Sequence, residues 1–214
     1  MNDVVDFIRQ AEVVFWDFDG VIKDSVDIKT QAFESLFLPY GSEVAARVQS
    51  HHVTNGGMSR FEKIPRYLKW AGLPASDRQV DDFCNQFSEK VLEGVIDSSW
   101  VPGVREYLLD QCEQQYFVLL TATPQNEIEL ILHRLRIFNC FREVFGSPNR
   151  KKETIASVLQ HLVVDMNKVL MIGDAKIDLL AARENNIVFL LRRTGLNRSL
   201  QNTFNGLQFE SLKG

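Results

Sequence analysis

Paired cysteines are missing from this sequence. Cys84, Cys112 and Cys140 are odd in number, widely spaced and without a C-x-x-C step. That suggests neither a disulfide framework nor a cysteine-built zinc site, and reduced thiols in a cytoplasmic protein are expected. No apolar run approaches the roughly 18 residues of a membrane-spanning helix. The first residues, Met1-Asn2-Asp3-Val4-Val5-Asp6, are acidic, so no signal peptide is expected. Basic charge is not in excess: 24 Lys and Arg stand against 28 Asp and Glu, a net charge of −4. Neither a broad nucleic-acid-binding face nor a membrane partner follows from that balance. Internal repeats and low-complexity tracts are also lacking.

What is present is enough for a packed core. The chain has 214 residues, 45% of them hydrophobic, sufficient for one full α/β domain with a small insert. The most informative stretch is Val13-Val14-Phe15-Trp16-Asp17-Phe18-Asp19-Gly20-Val21. Its apolar run fits a strand buried on both faces. Packing calls for nothing like the two carboxylates that end it. Ligands of open parallel sheets bind outside the carboxyl ends of the strands. Two neighbouring acids repel unless a cation or a shared proton compensates them, and an oxygen-only site suits Mg²⁺.

Further along, the pattern changes twice. Ser25 or Asp24 is placed to cap a helix with Ile28, Ala32, Leu36 and Phe37 on one side, stopped by Pro39-Tyr40-Gly41. Helical segments are then predicted near 42–52, 59–71 and 76–95, with no strand up to about residue 97. After Pro102-Gly103 the chain alternates. Strands are predicted at 116–120, 143–146, 168–172 and 187–191, and an edge strand at 207–209. Helices are predicted from 104, from 125, over 151–162 and around 179–182. Such alternation implies parallel βαβ units and a doubly wound sheet. The predicted architecture is therefore an α/β core of residues 1–23 and 98–214, with a helical cap inserted at 24–97.

Polar residues gather at the strand ends. Thr121 ends the second strand, Lys151 and Lys152 follow the third, and Asp174 ends the fourth. A parallel sheet brings them to the same edge as Asp17 and Asp19. Acids, a hydroxyl and an ammonium are what metal-assisted phosphoryl transfer to a carboxylate needs. Singly, each has an ordinary structural explanation as a turn hydroxyl, a helix cap or a solvated helix start.

Four stretches in order resemble the motifs of the haloacid dehalogenase-like hydrolase superfamily. They are Asp17-Phe18-Asp19-Gly20-Val21, Thr121-Ala122-Thr123-Pro124, Gly146-Ser147-Pro148-Asn149-Arg150-Lys151 and Gly173-Asp174-Ala175-Lys176-Ile177-Asp178. The helical insert falls where the phosphoglycolate-phosphatase-like and β-phosphoglucomutase-like subgroup carries its cap. The resemblance implies that Asp17 is the nucleophile and that Asp19 is the general acid and base. It implies that Thr121 and a lysine bind the phosphoryl group. Asp17, the backbone carbonyl of Asp19, and Asp174 would hold Mg²⁺, with Asp178 behind them. Lys151 is preferred as the lysine, with Lys152 the alternative. A 2-haloacid dehalogenase fits less well, since that chemistry lacks the second acid and needs no metal.

The insert holds a second set of candidates. Asn55-Gly56-Gly57 permits a tight loop, and Ser59 with Glu62 has the form of a capping box, which places Arg60 and Lys63 in the first turns of a helix. Arg60 is expected to grip a second anionic group of the substrate. His51 and His52 point to different sides of a helix, leaving one to face the site. Trp70 and Trp100 are read as packing residues. Lys23 is close enough in sequence to the first motif to reach the site entrance. The expected function is Mg²⁺-dependent hydrolysis of a small phosphorylated metabolite, a sugar phosphate or a phosphorylated small acid. A phosphosugar mutase and a non-catalytic binding module are the competing readings.

Overall fold

The computed structural model describes residues 3–213. A short helix α1 (Asp3–Arg9) leads into β1 (Val13–Trp16). Then come α2 (Val26–Phe37), α3 (Ser42–Thr54), α4 (Arg60–Trp70) and α5 (Asp77–Asp97) with no strand among them. The alternating part follows as α6 (Val104–Gln111), β2 (Tyr116–Pro124), α7 (Gln125–Arg134), β3 (Glu143–Ser147) and α8 (Lys151–Leu159). It continues through β4 (Val169–Gly173), α9 (Lys176–Glu184), β5 (Val188–Arg192), α10 (Arg198–Thr203) and β6 (Gln208–Phe209).

All six strands run parallel in the order β3-β2-β1-β4-β5-β6. β1 is central and all four of its residues are buried, which is why it reads as an unbroken apolar run. The strand period of two divides the core. Val14, Trp16, Phe117, Leu119, Leu170 and Ile172 join α6 and α7 on one face. Val13, Phe15, Val118, Leu120, Val169 and Met171 join α8 and α9 on the other. From β1 the chain winds outward to β3, then returns to the other side of β1 as β4. The carboxyl end of β1 is thus the switch point of the sheet, where a crevice opens.

The insert has an aromatic centre. Phe33 of α2 stacks on Phe87 of α5 with centroids 3.9 Å apart, and Phe37 meets Tyr67 and Phe83. This cluster is continuous with the core beneath α6 and α7. The two linkers joining insert to core are stitched together: Asp24 N–H donates to Ser99 O, and Val101 N–H donates to Ile22 O. Lys23 belongs to this stitching. It is 1% exposed, its Nζ donates to Ile96 O at 3.0 Å, and it lies over the Trp100 ring. It does not extend to the site entrance, because the linkers enclose it.

Other expectations shift in detail. β2 continues to Pro124 through an irregular register against β3, so Thr121 lies within the strand. α8 stops at Leu159. α1 and α10, of seven and six residues, are too short for a helical period to show in the sequence. Trp70 packs on Tyr67 and His51 as expected. Arg192 pairs with Asp24 at 2.8 Å and Arg193 with Glu210 at 3.1 Å, so both fix the end of β5.

Candidate active site

The floor is built by strand ends. Asp17 N–H donates to Ile172 O and prolongs the ladder one residue past β1. The chain then turns sharply, with Ile22 and Lys23 N–H both donating to Phe18 O. Gly20 sits in this turn at φ +79°, and a Cβ there would strike the Asp174 carboxylate. Only glycine supports both demands. Carboxylate oxygens of Asp17, Asp174 and Asp178 all lie within 4.8 Å of one another.

Lys151 links two of these acids. Its Nζ is 2.8 Å from Asp17 Oδ1 and 2.5 Å from Asp178 Oδ1. Asp178 is fully buried, and its other oxygen accepts from Ala175 N–H at 3.1 Å. Lys152 instead forms an exposed pair with Glu184 at 3.1 Å. Of the two lysines, Lys151 is the one whose ammonium reaches Asp17. It follows from the helix start, which turns residue 151 inward and residue 152 outward.

Charge on the floor is under-compensated. Burial pushes Asp17 up to about 7, with Lys151 opposing and Asp178 adding to the rise. Asp174 is raised well above the usual carboxylate range, by burial first and then by Asp17 and Asp178. Burial acts against the Lys151 ammonium, yet Asp17 and Asp178 outweigh it and raise its pKa. Two neighbouring acids raised by burial and by nearby carboxylates make a donor set suited to a hard divalent cation. The Asp17 and Asp174 carboxylates would hold it, since Asp178 is committed to Lys151.

Asp19 is held differently. Ser25 donates to its Oδ1 at 2.6 Å, while Lys29 Nζ lies 2.5 Å from its Oδ2 and 2.8 Å from Thr123 Oγ1. Burial works to raise Asp19, but Lys29, Ser25 and Thr123 override it and hold the carboxyl below its usual range. Ser25 precedes α2 without capping it through its side chain; the hydroxyl serves Asp19 instead. Thr121 is 2% exposed and accepts from Thr123 N–H at 3.2 Å. Sequence reasoning missed Lys29, Ser25 and Thr123 as site residues. The available signals were the Ser25/Lys29 spacing of one helical turn and the Thr121/Thr123 spacing of one strand period.

The insert roofs the floor. Between them lies a cavity of about 60 Å³ bounded by Asp17, Asp19 and Asp174 below and by Lys29, His52 and Lys63 above. The roof touches the core at several points. Ser59 Oγ is 2.7 Å from Ser147 Oγ, and Gly57 comes so close to Ile177 that a Cβ would clash. Ser59 caps α4 by accepting from Phe61 N–H. Arg60 is not free for a ligand. Its guanidinium is paired with both oxygens of Glu127 at 2.7 and 3.0 Å, contacts Ser88, and lies over Phe87. A buried guanidinium needs such a partner, and here the protein itself supplies it. Lys63 is 1% exposed, and its Nζ is 3.0 Å from His52 Nδ1.

The model of the haloacid dehalogenase-like hydrolases matches residues 14–191. The chain belongs to that family. As a member of it, the chain is 27% identical over 194 residues to a phosphoglycolate phosphatase of Vibrio cholerae, covering 82% of this chain and 81% of the other. It is 26% identical over 186 residues to a phosphorylated carbohydrates phosphatase of Thermotoga maritima, covering 82% of each. Its fold is shared by a β-phosphoglucomutase from Clostridium difficile, with a TM-score of 0.72 and 20% identity over 94% of this chain and 91% of that one. The acids, threonine and lysine that resemble the motifs of haloacid dehalogenase-like hydrolases meet at the carboxyl edge of the sheet. Among the described residues, no helix is long and apolar enough to cross a membrane.

Proposed function

We propose that this hydrolase is a Mg²⁺-dependent phosphatase of small phosphomonoesters, working through an aspartyl phosphate on Asp17, with residues 24–97 as its cap. The observation that carries this reading is Lys151 set between Asp17 and Asp178 while Asp174, close to Asp17, forms no ion pair among the described residues. Bound Mg²⁺ would neutralise the acids and the phosphate oxygens so that an anion can approach an anion. A carboxylate oxygen of Asp17 attacks phosphorus, and the bond from phosphorus to the ester oxygen breaks. Asp19 gives a proton to the leaving oxygen. It later takes one from the water that attacks the phosphoryl-enzyme, which frees Asp17 as the carboxylate and releases phosphate. Lys151 and Thr121 offset charge on the phosphoryl oxygens. The relatives from Vibrio cholerae and Thermotoga maritima support phosphate-ester hydrolysis and leave both a phosphorylated acid and a sugar phosphate as substrates.

The test is phosphate release from a panel of small esters, with and without Mg²⁺, for wild type and Asp17→Asn. Metal-dependent release that the substitution abolishes is the expected result. Interconversion of phosphosugar isomers without release would replace the phosphatase with a mutase. Release that survives in Asp17→Asn would overturn the assignment of the nucleophile.

A further inference from the structure

Asp174 stands one residue past the end of β4, beyond the reach of the sheet. The β4–β5 ladder stops at Gly173 opposite Leu191. Beyond it β5 turns to its other neighbour, with Arg193 N–H donating to Phe209 O of β6. The carbonyls of Asp174 and Arg192 then lie close together, two acceptors that cannot serve each other. Asn197, just before α10, supplies the donor. Its Nδ2 donates to Asp174 O at 2.7 Å and to Arg192 O at 2.8 Å. Its Oδ1 accepts from Thr194 N–H at 2.9 Å and from Gln201 Nε2 at 2.5 Å. Both donors and both acceptor positions of the amide are thus in use. Exchanging its O and N would set an oxygen against two carbonyls, so only one orientation fits. Asparagine at this position ordinarily caps the helix that follows. Here the side chain makes no capping bond to α10 and serves Asp174 instead.

We propose that Asn197 is a positioning residue for the cation site: by holding the backbone of Asp174 it aims the Asp174 carboxylate at the space shared with Asp17. The inference rests on the reading of Asp174 as a Mg²⁺ ligand and adds to that site a residue outside all four motifs. The direction of the Asp174 side chain follows from the peptide units on either side of its Cα. The ladder fixes the preceding one through Gly173, and Asn197 fixes the following one through Asp174 O. The carboxylate itself lies against the Gly20 turn, so close that a Cβ there would strike it. Asp174 is thereby held at both its backbone and its side chain. Mg²⁺ demands near-ideal octahedral geometry at short distances, so a ligand free to swing binds it poorly. Hydrogen bonds behind a metal ligand accordingly contribute about 10- to 100-fold in metal affinity.

The experiment titrates Mg²⁺ alone into the full chain by calorimetry, for wild type, Asn197→Ala, Asn197→Asp and Gln201→Met. Asn197→Asp keeps the acceptor for Thr194 and Gln201 but turns an oxygen toward the two carbonyls. Gln201→Met is the comparison for a merely structural role. It removes ties of the same loop, since Gln201 Nε2 also donates to Thr194 O at 2.7 Å, and does not touch Asp174. The Kd for Mg²⁺ should rise by about 10- to 100-fold in both Asn197 variants and by less than about threefold in Gln201→Met. The Mg²⁺ concentration that gives half-maximal phosphate release should rise with it. Equal weakening in Gln201→Met would make the effect a general loosening of the loop and overturn the inference. So would an unchanged Kd in the Asn197 variants, a result that leaves the metal site and the phosphatase reading intact. If Asn197→Ala fails to fold, Asn197→Asp decides alone. A wild type that binds no Mg²⁺, with phosphate release indifferent to the metal, ends this inference together with the assignment of Asp174.

Discussion

Lys29, one turn into α2, clamps Asp19 from the insert side, with its Nζ 2.5 Å from Asp19 Oδ2 and 2.8 Å from Thr123 Oγ1. The clamp joins the insert to both of the first two motif strands. It also favours ionised Asp19, the form that the second of its two proposed steps, taking a proton from water, would need, and it opposes the protonated form that the first would need. Lys29→Met removes the charge that opposes burial, so the Asp19 pKa should rise. The expected outcome is a fall in kcat of about 100-fold, typical of a displaced general base. The acidic limb of the kcat profile should move to higher pH. Steady-state kinetics between pH 5 and pH 8 read both.

Lys151 and Lys152 are neighbours with opposite consequences. Lys151→Met strands the fully buried Asp178 carboxylate, and breaking a buried pair costs about 3–5 kcal/mol. It also removes positive charge from the phosphoryl site, so activity should be lost as well. Lys152→Met breaks only an exposed pair with Glu184 and should change stability by less than about 1 kcal/mol with activity kept. Urea melts and phosphate release on the two variants measure the contrast.

The raised acids predict how the metal-free protein responds to pH. A carboxyl whose folded pKa exceeds its unfolded one favours the folded state most below the unfolded value, about 4. That contribution is lost as pH rises through the folded value, about 7 for Asp17. Asp174 is shifted in the same direction. Without divalent cation, Tm should therefore decline as pH rises from about 4 to 7, more than in Asp174→Asn. Millimolar Mg²⁺ should raise Tm more at pH 8 than at pH 5, and Asp174→Asn should abolish most of that gain. Thermal melts across the range check the sign.

The sheet was legible because β1, β2 and β4 are buried on both faces, so their apolar runs stop where the polar site residues begin. The parallel topology followed from the alternation after Pro102, and the floor followed from four polar strand ends. The roof was harder to read. Arg60 and Lys63 have the same charge and sit three residues apart on one helix, and nothing in that spacing tells which finds a partner. The difference lies in Glu127, from a helix 67 positions away along the chain, and in His52 on α3. Lys29 was hidden for a similar reason. A lysine one turn into an amphipathic helix is usually a solvated residue, and its contact with Asp19 depends on how α2 leaves the turn after β1.

Arg60 and Glu127 provide the means to learn how firmly the insert is held. Arg60 comes from α4 and Ser88 from α5, while Glu127 belongs to α7 of the core; the side chains of the pair are 4% and 9% exposed. Arg60→Met leaves a carboxylate buried without its counter-charge, and Glu127→Met leaves a guanidinium in the same position. Each should cost about 3 kcal/mol or more. The double substitution removes both charges and adds apolar volume beside Phe87, so it should recover most of the loss. A cycle built on urea melts should then return a coupling energy of about 2 kcal/mol or more. Loosening the insert should also raise KM in each single variant by weakening the closed cavity around substrate. If the coupling is near zero, the insert is held by its apolar seam with α7, and the pair is a consequence of docking rather than its cause.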